Sequence, residues 1–231
     1  MRRKGLKTVL HPDIKNVLEY VQNHKKGTIY SVKGKEPWPE VLHAAMIFKD
    51  DIGCELGGPF GSLALHCMYD EVVDGRVIVI GSDMLQKQSV WGRLTLIDAA
   101  VDDEESYYSF LQQVTLIPVR HSMEGVMIRI QPSEYKEWIR IHKDYIKTHT
   151  VIQLFSRLYT WYKQLPWVRA VEFVAITSCS DDIALLLPLI EKHKSIIKAF
   201  EKRLSEDIKN CNACDNNAVC STINSLFEKG P

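Results

Sequence analysis

The feature that most constrains the fold is an amphipathic helix followed at once by an apolar strand. The segment TVIQLFSRLYTWYKQL carries apolar residues on one helical face, with Gln153, Arg157 and Lys163 on the other. The apolar stripe consists of Val151, Leu154, Phe155, Leu158 and Tyr162. Such a stripe predicts a helix with one buried face. The next segment, VRAVEFVAIT, is rich in β-branched residues, which favour a strand. We therefore expect this helix to pack on a β-sheet.

Other apolar segments predict more strands of that sheet. Their sequences are TIYSV, LALHCMYDEV, RVIVIG, RLTLIDAAV and GVMIRI. An Asp74–Gly75 turn separates LALHCMYDEV from RVIVIG, and this dipeptide between two strand patterns is typical of a β-hairpin. We expect an α+β (mixed α/β) fold, in which a mixed sheet with an N-terminal hairpin is covered by amphipathic helices.

Four further segments have helical spacing. DIKNVLEYVQNHKK is predicted to end at Gly27, and DEESYYSFLQQVTLI has an acidic first turn. PSEYKEWIRIHKDYIK is predicted to begin at Pro132 and Ser133, because proline suits the first turn of a helix. A long charged helix is expected after Ser180, and Pro188 should kink or restart it.

The length of 231 residues suits one substantial domain with extensions at both ends. We predict a helical or irregular N-terminal extension over residues 1–40 and an α+β domain over 41–209. Residues 210–231 form a cysteine-containing C-terminal tail in this scheme.

Composition argues against several kinds of partner. Lys plus Arg and Asp plus Glu both number 29, so no net charge attracts nucleic acid or an anionic membrane surface. The sequence has no uncharged apolar stretch long enough to span a bilayer, and no apolar signal core follows the charged residues MRRK. We expect a cytoplasmic protein that binds neither nucleic acid nor membrane.

Three cysteines lie close together in NCNACDNNAVCST, at Cys211, Cys214 and Cys220. A Cys-x2-Cys turn aims two thiolates at one point, which suits an iron–sulfur cluster or zinc. A fourth ligand would have to come from Cys54, Cys67, Cys179, one of eight histidines or a partner. The alternative is that the three thiols bind no metal.

The order of motifs resembles acetyl-CoA synthase, the catalytic subunit of the carbon monoxide dehydrogenase/acetyl-CoA synthase complex. The resemblance begins with CELGGPFGSLALHCM and DEVVDGRVIVIGSDM and continues through RLTLIDAAV and GVMIRIQPSEY. It ends with the amphipathic helix, the strand after it, the long charged helix and CNACDNNAVC. Roughly residues 45–223 are covered, and they are similar to the family's central domain with the first cysteines of its cluster domain.

The resemblance implies an accessory or subunit role in anaerobic one-carbon and acetyl-CoA metabolism. Cys211, Cys214 and Cys220 would correspond to the first three cysteines of the [4Fe–4S] cubane. The family's central domain is rich in arginine and is associated with coenzyme A, so Arg129, Arg140 and Trp138 are candidate coenzyme A contacts. Other subunits of such a complex are candidate partners.

Some of the family's catalytic ligands are not found in this sequence. It has no fourth cubane cysteine after Cys220 and no Cys-Gly-Cys of the kind that holds the distal nickel, so a nickel site is not expected. Three interpretations follow: an accessory binding module, a structural domain with a zinc clamp, or a CO-methylating acetyl-CoA synthase subunit completed by another chain.

The histidines and carboxylates suggest no acid–base site. His43, His66 and His121 lie among apolar residues, which is typical of hydrogen-bonded core histidines. No Ser/His/Asp spacing or carboxylate pair stands out, and no general base is predicted.

Overall fold

The computed structural model describes residues 27–56, 64–68, 71–85, 89–100, 104–131 and 136–177, with isolated positions at 15–19 and 184–195. The strands are β1 Thr28–Ser31, β2 Glu40–Val41, β3 Ile52–Leu56, β4 Ala64–Met68, β5 Arg76–Ile80, β6 Ser89–Ala99, β7 Ser122–Met123, β8 Val126–Gln131, β9 Lys136–His142 and β10 Val168–Ile176. The helices are α1 Glu104–Arg120 and α2 Val151–Lys163, with a short 3-10 helix at Lys49–Asp51.

The ten described strands form one mixed sheet, in which nine follow the order β1-β5-β10-β6-β3-β9-β8-β7-β2 and β4 pairs with β6 beside this path. The long strand β6 joins its two halves. On one side β6 pairs antiparallel with β10. On the other side it pairs with β3 near its start and with β4 further along, both in parallel. Strands β3 and β4 therefore lie one after the other along the same edge of β6.

The centre of the sheet is covered on both faces. All residues of β6 from Trp91 to Ile97 are buried, as are those of β10 from Val171 to Ile176. Apolar residues dominate these two strands, as expected for strands that are buried on both faces, but three polar side chains are fully buried with them: Arg93, Thr95 and Glu172. Glu172 Oε1 accepts a hydrogen bond from Arg76 Nε at 2.5 Å.

Helix α2 packs on one face of this central region. Thr150 caps it, because its hydroxyl accepts from the Gln153 N–H while the Gln153 side chain accepts from the Thr150 N–H. Phe155 stacks on Phe173 of β10 with ring centroids 4.9 Å apart. The predicted stripe is confirmed, since its five members are all buried: Val151, Leu154, Phe155, Leu158 and Tyr162.

The α+β class with a mixed sheet is confirmed, and most predicted strands are present. The N-terminal hairpin is wrong, although its turn exists. Gly75 has a φ of +78° in that turn, but β4 pairs with β6, whereas β5 pairs with β1 and β10. The partners of these strands are distant in sequence, so the turn does not decide the pairing.

The helix predicted from Pro132 is also wrong. Residues Lys136–His142 form β9, which lies between β3 and β8 and pairs antiparallel with both. Ile139 and Ile141 are fully buried on one face of β9, so the side chains follow the two-residue period of a strand. Two neighbouring strands satisfy the backbone of this segment, and this tertiary pairing overrides its helical spacing.

Part of the predicted N-terminal extension belongs to the sheet. Strand β1 pairs antiparallel with β5, and Trp38 is fully buried. In the long helix predicted after Ser180, the described positions 184, 187, 188, 191, 192 and 195 are helical. The C-terminal tail lies outside the described residues, and the domain boundaries at 41 and 209 stay predictions.

Candidate functional site

The three candidate coenzyme A residues lie on two neighbouring strands. Arg129 of β8 is the register partner of Trp138 of β9, and Arg140 follows two residues after Trp138. Directly opposed residues share a face of an antiparallel pair, as do residues two apart in one strand. Positions 129, 138 and 140 therefore share one face of the sheet.

The guanidinium of Arg140 is held in a fixed orientation. Its Nε donates to Glu55 Oε1 at 2.8 Å, and its Nη1 donates to the carbonyl oxygen of Ile47 at 3.4 Å. Glu55 is opposite Arg140 in the β3–β9 ladder, so strand pairing brings these two charges together. Both side chains are about one quarter exposed, which leaves this ion pair within reach of solvent.

This face of the sheet is the one opposite to α2. Cys54 and Leu56 of β3 pair with Ile141 and Ile139 of β9, and Leu56 also pairs with Trp91 of β6. Trp91 contacts Phe155 of α2 edge-on, so these positions belong to the face under α2. Glu55 and Arg140 alternate with them and lie on the other face.

The candidate metal ligands Cys211, Cys214 and Cys220 lie outside the described residues. Of the possible fourth ligands, Cys54 is described and is fully buried. Burial raises the pKa of its thiol to about 12, and the nearby Trp91 indole lowers it by a smaller amount. Because metals bind the thiolate, Cys54 is poorly suited to complete the site.

In the described part of the chain, no cluster of three or more His, Cys, Asp or Glu side chains could hold a metal ion. A second group of polar side chains nevertheless stands out, around the carboxylate of Glu40. Glu40 Oε1 accepts from Trp161 Nε1 at 3.1 Å and lies 3.0 Å from His121 Nδ1. Glu40 Oε2 accepts from Arg157 Nη1 at 3.1 Å. We call these four residues the Glu40 cluster.

Local structure explains how the Glu40 cluster forms. The segment Pro37–Pro39 is fixed to α2, because the Trp38 N–H donates to Gln153 O and the Trp38 carbonyl accepts from Arg157 Nε at 2.6 Å. Glu40 follows directly and starts β2. His121 lies just after α1, where its N–H donates to Ile117 O. The end of α1, the start of β2 and one face of α2 thus meet at one point.

The structure corrects the prediction that His43 and His121 are core histidines. His43 is exposed, and the His121 side chain is 21% exposed. The His121 ring stacks on the buried indole of Trp161, with centroids 5.2 Å apart and an interplanar angle of 19°. Nothing is described of the His66 side chain. Sequence analysis missed the Glu40 cluster because Glu40 and His121 are 81 residues apart, and no local motif connects them.

No protein-family model matches this chain, and no curated protein matches it significantly. Among the described residues, no helix is both long and apolar enough to cross a lipid bilayer.

Proposed function

We propose that this chain is a binding module related to the central domain of acetyl-CoA synthase, and that it binds coenzyme A on the face of β8 and β9 that is opposite to α2. The observation that carries the proposal is that positions 129, 138 and 140 share this face. Two guanidinium groups suit the phosphates of coenzyme A, because each can donate two parallel hydrogen bonds. Position 138 on the same face carries a tryptophan, which suits the adenine ring, since bases stack on aromatic side chains.

Titration calorimetry with coenzyme A and with adenosine 3′,5′-bisphosphate tests the proposal. Arg129→Gln and Arg140→Gln should each weaken binding about tenfold, which corresponds to one lost charge-assisted contact. Arg169→Gln is the matched control, because Arg169 is an exposed arginine on β10 outside the site. Equal affinities of all three variants and the unchanged protein would exclude this binding face.

A substitution at Glu55 should change the affinity for coenzyme A in the opposite direction. Its carboxylate offsets the positive charge of Arg140 at 2.8 Å and would repel a phosphate bound there. Glu55→Gln keeps the size of the side chain and removes this charge, so we expect coenzyme A to bind several-fold more tightly. If the Glu55–Arg140 pair only joins β3 to β9, the substitution lowers stability and leaves affinity unchanged.

The proposal includes a metal at Cys211, Cys214 and Cys220, with an iron–sulfur cluster as first choice and zinc as the alternative. Elemental analysis and a visible spectrum of protein purified without oxygen distinguish them. Iron with acid-labile sulfide supports a cluster, zinc alone supports a structural clamp, and a metal-free folded protein removes both. Cys54→Ser should leave the metal content unchanged, because its buried thiol resists ionisation.

We place the chain in the cytoplasm, as a subunit or accessory protein of a carbon monoxide dehydrogenase/acetyl-CoA synthase-type complex in anaerobic one-carbon metabolism. A catalytic role as a CO-methylating acetyl-CoA synthase would need nickel ligands from another chain. Co-purification with such subunits tests the role as a subunit. An acetyl transfer assay on the purified complex then tests the catalytic role.

A further inference from the structure

The Glu40 cluster fixes which nitrogen of His121 carries a proton. Glu40 Oε1 accepts from the Trp161 indole, which can only donate, and Oε2 accepts from the Arg157 guanidinium. With both oxygens of Glu40 acting as acceptors, the His121 Nδ1 is the donor in their contact. In the neutral tautomer that this contact selects, Nε2 carries the lone pair. Within the described residues, Nε2 has no hydrogen-bond partner.

The position of the His121 ring is also fixed by packing. Trp161, which is fully buried, supports one face of the imidazole by stacking, and the 3.0 Å contact from Nδ1 to Glu40 fixes the rotation of the ring. Arg157 balances the charge of Glu40, and its own Nε is anchored on the Trp38 carbonyl. A carboxylate that orients a histidine in this way is the arrangement of a general base in hydrolytic enzymes.

Exposed apolar side chains flank this histidine. Leu42 is 93% exposed and Val119 is 78% exposed, the two highest values among the large apolar residues described. Val119 precedes His121 by two residues. Leu42 follows Val41, which pairs with Ser122, so it lies beside the same strand end. Two exposed apolar side chains are thus close to His121, one along the chain and one across the β2–β7 pair.

We propose that His121 is a general base that activates water for the hydrolysis of carboxylic esters with apolar acyl groups, with Glu40 as its positioning residue. As the water oxygen bonds to the ester carbonyl carbon, one water proton passes to Nε2 and the carbonyl π electrons move to oxygen. The tetrahedral adduct then collapses, the bond to the alcohol oxygen breaks, and the alcohol leaves with the proton from Nε2. Ester and water give acid and alcohol, and no other reactant is needed. The site is on the α2 side of the sheet and does not depend on coenzyme A binding.

Hydrolysis of 4-nitrophenyl butyrate by the full-length chain tests the activity. We expect a normal solvent deuterium isotope effect, and His121→Gln should lower the rate about 100-fold, the usual contribution of a general base. Glu40→Gln should lower it by about tenfold or more, because the amide no longer selects one tautomer. His43→Gln is the matched control, since His43 is an exposed histidine near the same strand end, and it should not change the rate.

A second measurement keeps the test decisive if the His121 variant fails to fold. Long-range ¹H–¹⁵N spectra of the imidazoles in the unchanged protein should show His121 protonated at Nδ1 and unprotonated at Nε2. The same spectra of Glu40→Gln should show a mixture of tautomers, a change that lost packing alone would not produce. A proton found on Nε2, or equal rates for His121→Gln and the unchanged protein, overturns the proposal.

Discussion

At the scale of single residues, Asp74 illustrates how one carboxylate can connect several elements. Its Oδ2 accepts from Tyr159 of α2 and from Lys33 Nζ, both at 2.9 Å. Its Oδ1 accepts from the backbone N–H of Val171 at 3.1 Å. The turn before β5 is thereby joined to α2, to β10 and to the segment after β1.

These contacts shift two pKa values in opposite directions. Burial, the largest single effect, raises the pKa of Asp74, but the hydrogen bonds from Lys33, Tyr159 and Val171 together outweigh it, so the pKa is lowered. The pKa of Tyr159 is raised to about 12, by burial and then by its hydrogen bond to Asp74. A carboxylate with a lowered folded-state pKa stabilises the protein at neutral pH and loses this contribution in acid.

The first prediction concerns Asp74→Asn. At pH 7 we expect the free energy of unfolding to fall by about 1–2 kcal/mol, because the hydrogen bonds to charged and phenolic donors are weakened. The difference in the free energy of unfolding between the variant and the unchanged protein should have its full size above about pH 4, the ordinary carboxyl pKa. It should become smaller as the pH falls through the lower folded-state pKa of Asp74. Urea titrations at several pH values measure this difference. Asp50→Asn, at an exposed position, is the control, and a difference that stays constant with pH would contradict the argument.

Residue-scale contacts were the least predictable part of the site. The positions of Arg129, Trp138 and Arg140 came from motif order, and strand pairing brings them to one face. The Glu40 cluster could not be predicted, because its carboxylate is 117 and 121 residues from Arg157 and Trp161. Sequence patterns report neighbours along the chain, whereas this cluster depends on how three elements meet in space.

At the scale of elements, the local sequence is sufficient to predict that α2 is a helix, but it is not sufficient to predict that β9 is a strand. Helix α2 combines an apolar stripe with a capping box, so periodicity and capping agree on its type and on its start. In β9 the residues Trp138, Ile139 and Ile141 fit a helix or a strand in a short window. Pairing with β3 and β8 decides in favour of the strand, and that pairing is not visible in the segment itself.

The second prediction concerns the cap of α2. Thr150→Ala removes the hydroxyl that accepts from the Gln153 N–H at 3.3 Å, and we expect a loss of about 1 kcal/mol in stability. Thr148→Ala is the matched control, because Thr148 is an exposed threonine in the turn just before, and its hydroxyl contacts Tyr145 O and His149 Nδ1 rather than an N–H of α2. Thermal unfolding should separate the two variants by a few degrees, whereas equal midpoints would mean that the cap contributes nothing.

At the scale of the whole molecule, residues 27–40 hold distant parts of the fold together. Strand β1 covers the edge of β5, and Trp38 is buried against α2 and the turn after β9. The carbonyl oxygens of Val32 and Lys35 lie 3.5 and 3.2 Å from the Ser156 hydroxyl of α2. If residues 27–40 are removed, all of these long-range contacts are lost at once, together with the stability that they contribute.

The third prediction therefore concerns the start of the folded unit. A fragment of residues 41–231, which begins at the predicted domain boundary, loses β1, the Lys33 partner of Asp74 and the buried indole of Trp38. Truncating one buried tryptophan costs about 3–5 kcal/mol, and a whole domain has only about 5–15 kcal/mol of stability. We expect this fragment to lack a cooperative unfolding transition and near-ultraviolet circular dichroism. A fragment of residues 27–231 is the matched control, so that the difference between the two isolates residues 27–40. If both fragments unfold cooperatively at the same urea concentration, the domain begins at residue 41 and the contacts of Trp38 contribute little to the fold.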